Sequence, residues 1–152
     1  MLFRSNGGYG HPDHIKAHQT AMRAAELARE TGWEISKIYW NTIPKSVIEE
    51  GIQALAGTGT DFFGVEKAED FPFAAPDELV TSVLTAEDFV PHKMAAMKAH
   101  PTQISVDGPF FALSNNLGVQ VFGDEYYTLV RGEKCGPFNN NLEQDLFAGV
   151  NP

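Results

Sequence analysis

Apolar Ile15, Met22, Ala25, Leu27 and Ala28 recur near the helical period between about Asp13 and Thr31. Arg23, Glu26, Arg29 and Glu30 mark the wet side, so the pattern predicts an amphipathic helix. Pro12 suits its first turn, where an N–H would lack a partner anyway, and Gly32 ends it. Residues 35–43, Ile-Ser-Lys-Ile-Tyr-Trp-Asn-Thr-Ile, concentrate β-branched and aromatic types and predict a buried strand, with Trp33, Tyr39 and Trp40 in a core or interface. Pro44 opens a second helix to about Leu55, with Val47, Ile48, Ile52 and Leu55 on one side and Gly57-Thr58-Gly59-Thr60 closing it. Asp61 to Pro76 has no period and reads as an irregular loop covering a site. Leu79–Thr85 reads as a short strand and Ala86–His100 as an amphipathic helix carrying Phe89, Met94 and Met97, broken by Pro101. Phe110–Asn116 reads as a short helix or turn, Tyr126–Arg131 as a last strand, and Gly132–Pro152 as a loosely held tail anchored by Leu146 and Phe147. Helix, strand, helix in succession imply an α/β layer.

A chain of 152 residues fits one domain with one core. At 43% hydrophobic and 20% charged residues it is neither a disordered tail, a collagen-like repeat nor a coiled coil. Twenty acidic against eleven basic residues give a formal charge of −9, which makes nucleic acid and anionic membrane poor partners. The lone Cys135 excludes an internal disulfide and a thiolate-pair zinc site, and points to a reducing, cytoplasmic setting. No apolar run approaches a membrane span, and no signal peptide is legible at the start. Met1 to Ser5 are too short to form an element. Leu2-Phe3-Arg4-Ser5 also matches what sequencing-adapter DNA encodes, which makes these five residues suspect as native sequence.

Chemistry concentrates in Asn6-Gly7-Gly8-Tyr9-Gly10-His11-Pro12-Asp13-His14. The glycines permit backbone conformations closed to other residues and let the chain pass close to a ligand. His11 and His14, three apart across a helix start, converge on one side of its first turn, with Asp13 beside both. The partial positive charge of a helix N-terminus favours a neutral, metal-binding imidazole and stabilises an oxyanion. A neighbouring carboxylate holds the other ring nitrogen. Two histidines and an aspartate in this setting fit metal-assisted hydrolysis better than dinucleotide binding, whose spaced glycine pattern is absent. The plain alternative is a helix cap at His11 with two ordinary polar residues after it. His18 lies one turn beyond His14, but Ile15 stands where a zincin helix has glutamate, so His18 packs or supports.

These residues carry a resemblance. Gly7 to His14, together with Lys93-x-x-Ala96, Ala99-His100-Pro101-Thr102-Gln103, Ala112-Leu113-Ser114-Asn115-Asn116 and Asp145-Leu146-Phe147-Ala148-Gly149, resembles the C-terminal half of the zinc-dependent LmbE-like N-deacetylase family, specifically its mycothiol-pathway deacetylases. The resemblance covers nearly the whole chain from Asn6. It implies the C-terminal portion of a Rossmann-like sheet with flanking helices, lacking the N-terminal strands. It further implies one partial deacetylase domain over residues 1–152. By the same resemblance His14 is a zinc ligand, His11 stabilises the oxyanion and protonates the leaving amine, Asp13 orients His11, and Tyr9 polarises the carbonyl. The implied partner is a small amino-sugar inositol substrate, bound by Tyr9 and His11 with Gln103 and Asn115 as lesser candidates.

The family's other zinc ligands and its general base lie in an Ala-His-Pro-Asp-Asp-Glu segment that this sequence lacks. A fragment inactive alone is therefore expected, with an unpaired sheet edge and apolar faces that lead to aggregation or partnering, including homo-oligomers. Two other readings stand beside it: a mycothiol S-conjugate amidase, and a non-catalytic remnant or binding module. Outside the loop, His100 suits a helix C-terminus and His92 a solvated helix face.

Overall fold

The computed structural model describes residues 4–117 and 123–150. Residues 1–3 of the suspect leader and the last two residues of the tail lie outside the described residues. The elements are α1 (Pro12–Glu30), β1 (Ile38–Pro44), α2 (Lys45–Leu55), β2 (Ala74–Ala75), β3 (Ser82–Thr85), α3 (Val90–Lys98), α4 (Ala112–Leu117), β4 (Asp124–Arg131), β5 (Phe138–Asn139) and β6 (Leu142–Glu143). The fold is mixed α/β, a central open sheet flanked by helices, as the sequence led us to expect. The sheet runs β2-β1-β4-β3-β6-β5. The β1–β2 and β3–β6 pairs are parallel, while β1–β4, β3–β4 and β5–β6 are antiparallel.

β1 and β4 form the centre. Thr42 and Thr128 hydroxyls meet at 2.8 Å across the pair, and Tyr39 and Tyr127 stack edge to face at 6.3 Å. Strand alternation puts Trp40 and Ile43 on opposite faces of β1. Trp40 lies against His18 of α1, rings 5.4 Å apart. Ile43 packs with α2's Ile48 and Ile52 and with Phe62, Phe71 and Phe73. Gly51 lets α2 take the Phe62 ring, which an added Cβ would meet at 2.7 Å.

Several expectations are corrected. The 61–76 segment is not merely irregular: Ala74–Ala75 pairs with β1, and Ala68 and Phe71 belong to the α2 core. The strand expected from Leu79 starts at Ser82, because Asp77–Leu79 closes a 3-10 turn. The 86–100 helix begins with another such turn, and Phe89 is 62% exposed. Trp33 lies beyond the end of α1 and is 66% exposed, so it is no part of the core. β4 is central, and it is not the last strand, because the β5–β6 hairpin follows and adds to β3.

That hairpin changes the picture of residues 132–150. Phe147 is 79% exposed and anchors nothing, while Glu143 is wholly buried. Its carboxylate accepts from Lys37 Nζ at 2.5 Å, Tyr39 Oη at 2.9 Å, Ser82 Oγ at 2.9 Å and the Cys135 N–H at 2.8 Å. Burial alone would raise the Glu143 carboxyl, but these four donors outweigh it and hold the group below the usual carboxylate range. Burial likewise would lower Lys37, and its bonds to Glu143 and Tyr39 leave it above the ordinary lysine value. Composition around Gly136-Pro137 and Asn139–Asn141 suggested looseness, whereas one charged residue fixes the segment. In β4 itself, Lys93 of α3 bonds Glu125 at 2.8 Å, and with the Tyr127 hydroxyl it holds that carboxyl low.

Candidate active site

The loop ahead of α1 is built by its own short-range bonds. Asn6 Oδ1 accepts from the Gly8 N–H at 3.0 Å, and the Gly10 N–H donates to Asn6 O at 2.9 Å. Gly7 sits at φ +71° with its Cα side against the helix, where an added Cβ would be 2.8 Å from both His14 Cβ and the Ile15 nitrogen. Only glycine fits that backbone and that approach. Phe73, just before β2, backs the loop: its ring is 4.9 Å from Tyr9 and would be 3.3 Å from a Cβ on Gly8. Arg4 Nη1 donates to Ala74 O at 3.3 Å and ties the loop's entry to the same strand.

Three rings gather on this frame. Tyr9 meets His14 edge to face at 5.0 Å and His11 at 5.9 Å, and the two imidazoles are 5.2 Å apart. His11 is the N-cap of α1, its Nδ1 accepting from the Asp13 N–H at 3.2 Å. An accepting Nδ1 on a neutral ring leaves the proton on Nε2, so His11 presents an N–H donor. His14 Nδ1 lies 3.2 Å from Gly7 O. A carbonyl only accepts, so His14 carries its proton on Nδ1 and its lone pair on Nε2. The loop thus sets two adjacent histidines in opposite tautomers, one a donor and one a base or ligand. The Asp13 carboxylate is 3.9 Å from His11 Nδ1 and 89% exposed, so Asp13 fixes His11 through its backbone N–H rather than its side chain.

Tyr9, His11, Asp13 and His14 therefore come together. His18 does not join them; it stacks on Trp40. Gln103 lies in an exposed turn after α3, its N–H donating to His100 O at 3.0 Å. Asn115 donates to Val106 O at 2.8 Å and lines an open cavity of about 440 Å³ with Asp61, Phe63 and Asp107, apart from the three rings. Phe73 and Asn6 escaped sequence reasoning. Phe73 stands in an aperiodic stretch, and Asn6 was read only as part of a glycine-rich string, although Asn before Gly-Gly is a turn signal. Among the described residues no three His, Cys, Asp or Glu side chains group closely enough to hold a metal ion. None of the described helices is long and apolar enough to cross a membrane.

Comparison with known proteins finds this chain similar, along nearly its whole length, to part of a set of curated deacetylases. It is 50% identical over 160 residues to the 1D-myo-inositol 2-acetamido-2-deoxy-alpha-D-glucopyranoside deacetylase of Geodermatophilus obscurus, a match covering 99% of this chain and 54% of that protein. The enzyme of the same name from Acidothermus cellulolyticus is 50% identical over 152 residues, 99% of this chain and 51% of its own. That of Streptomyces avermitilis is 48% identical over 162 residues, with 100% and 54% covered. The chain spans about half the length of the curated relatives it matches. No protein-family model matches it.

Proposed function

We propose that this chain supplies the oxyanion-binding side of an N-deacetylase site acting on an N-acetylglucosaminyl-inositol. The observation that carries the reading is the pair of opposed tautomers at His11 and His14, in a chain 50% identical over 160 residues to a relative that bears this activity in its name. In amide hydrolysis, attack on the carbonyl puts negative charge on its oxygen. The His11 Nε2–H, with the Tyr9 hydroxyl beside it, is suited to donate to that oxygen. Protonating the departing amine requires a second proton on His11. The Asp13 carboxylate, near Nδ1, is the group that would then receive the new N–H.

His14, with its lone pair on Nε2, suits a single metal-ligand role. One imidazole does not make a zinc centre, which takes three or four protein donors, and the described residues do not complete one. Zinc-dependent turnover by these residues alone is therefore not part of the proposal. The steps assigned to this chain are holding the oxyanion and handling the amine proton.

The test is acetate release from acetylglucosaminyl-inositol, with a mycothiol adduct in parallel, by this chain alone and by this chain joined to the remaining half of the Geodermatophilus relative. The joined protein is expected to release acetate. His11→Ala should slow it by roughly 10²–10³-fold, the usual loss for one oxyanion donor. His14→Ala should lower both zinc content and turnover. Cleavage of the adduct instead would make the site an amidase, and a joined protein that binds substrate without turnover would favour a remnant.

A further inference from the structure

The last turns of α1 and the end of β4 enclose a second polar cleft. Arg23, Glu26, Arg29, Glu30 and Arg131 line it, with a volume of about 440 Å³. At 1.5 Å per residue it begins roughly 14 Å along the helix from His14, so it is separate from the three-ring loop.

Both carboxylates of the cleft face Arg23, which lies 2.9 Å from Glu26 and 3.6 Å from Glu30. Arg131 is different. It stands opposite Ile38 at the irregular end of the β1–β4 ladder, and its Nη1 is buried with no hydrogen-bond partner among the described residues. A guanidinium N–H out of water without an acceptor is rare in folded proteins and calls for one. Three guanidinium groups against two carboxylates leave the cleft net positive, in a chain whose formal charge is −9.

We infer that this cleft is a seat for a small oxyanion, a carboxylate or phosphate, held by the planar fork of Arg131 with Arg29 as the second cation. Guanidinium pairs with such groups through two parallel N–H···O bonds, and seating one on Nη1 requires the Arg131 head to turn toward the cleft. Arg23 pairs with both Glu26 and Glu30 and offsets one of their two charges, so Arg29 and Arg131 together leave the cleft one charge positive. The oxyanion comes either from solution or from an acidic side chain of a polypeptide seated on the cleft, and the two sources are separable.

The experiment follows the arginine Nε–Hε NMR signals of the 152-residue chain during titration with inorganic phosphate and, separately, acetate, at ionic strength fixed with chloride. A saturable shift confined to the arginines of the cleft is expected, with Arg4 unmoved as an internal reference. Arg131→Gln should weaken binding roughly tenfold or more, the worth of one charged hydrogen bond. The exposed Arg29→Gln, which the fold tolerates, should weaken it severalfold. Shifts that grow linearly, that Arg4 shares, or that survive both substitutions overturn the inference. Repeating the titration on the chain joined to the other half of a relative identifies the source. An Arg131 signal already at its saturated position and deaf to phosphate means a polypeptide carboxylate. A signal that titrates as before means a diffusible anion, and one that is neither shifted nor responsive overturns the inference for that protein.

Discussion

Glu143→Ala is expected to cost about 3–5 kcal/mol, the usual loss when one partner of a buried ion pair is removed, against a total of about 5–15 kcal/mol for an ordinary domain. The substitution strands Lys37, whose side chain is 6% exposed, and removes an acceptor from Tyr39, Ser82 and the Cys135 N–H. Urea unfolding should show the midpoint collapsing, with β5 and β6 leaving the edge of β3. Replacing both charges, Lys37→Met with Glu143→Met, should not restore stability here. Exchanging a buried pair for apolar residues is harmless only where no other polar group depended on it, and two hydroxyls and one N–H depend on Glu143.

The same group fixes a pH window. Glu143 is held below its ordinary range, so its contribution is complete above the unfolded carboxylate value and is lost as pH falls through the lower folded one. Lys37 is held above its ordinary value, so its contribution is complete below the unfolded lysine value and is lost as pH rises through the higher folded one. Stability should therefore be flat through neutrality and fall on the acid side. Glu143→Gln should remove its share of that acid limb and leave the share that Glu125, also held low, contributes.

Gly7→Val is expected to be the most damaging change in the loop ahead of α1. The position combines φ +71° with a Cβ 2.8 Å from His14 Cβ and the Ile15 nitrogen, so the new side chain meets helix backbone that cannot swing aside. Strain of about 1–3 kcal/mol and overpacking of similar size are expected together. Gly10→Ala is the control. Gly10 also has positive φ, at +89°, but an added Cβ meets nothing within 4 Å, so only the backbone strain applies. Thermal melts should rank Gly7→Val well below Gly10→Ala. In the joined protein, Gly7→Val should cut acetate release by about 10²-fold, because a misplacement near 1 Å costs that much and the Gly7 carbonyl itself holds His14.

Much of this was legible in the sequence. α1, β1 and α2 followed from apolar spacing and from Pro12, Gly32 and Pro44, because their stabilising contacts are periodic and local. The His11 and His14 pairing was legible for the same reason, since spacing across a first turn fixes convergence. What escaped depends on distant partners. Nothing local marks Glu143 as buried, since its donors come from residues 37, 39, 82 and 135. β2 is two residues long and exists because β1 offers it an edge. The exposure of Trp33 and Phe89 likewise follows from where the neighbouring turns end, which composition does not encode. The bond from the Asp13 backbone N–H to His11 Nδ1 is also a matter of cap geometry, which residue types alone do not encode.

The central claim is that the loop holds His11 as an Nε2–H donor and His14 with its lone pair on Nε2. The most direct measurement is the ¹⁵N chemical shift of both imidazole rings in the neutral state, read by long-range proton–nitrogen correlation on the 152-residue chain. The account predicts a pyrrole-type Nε2 and pyridine-type Nδ1 for His11, with the reverse for His14, and loss of the His14 preference in Gly7→Val. The same tautomer on both rings, or averaged shifts on either, would contradict it.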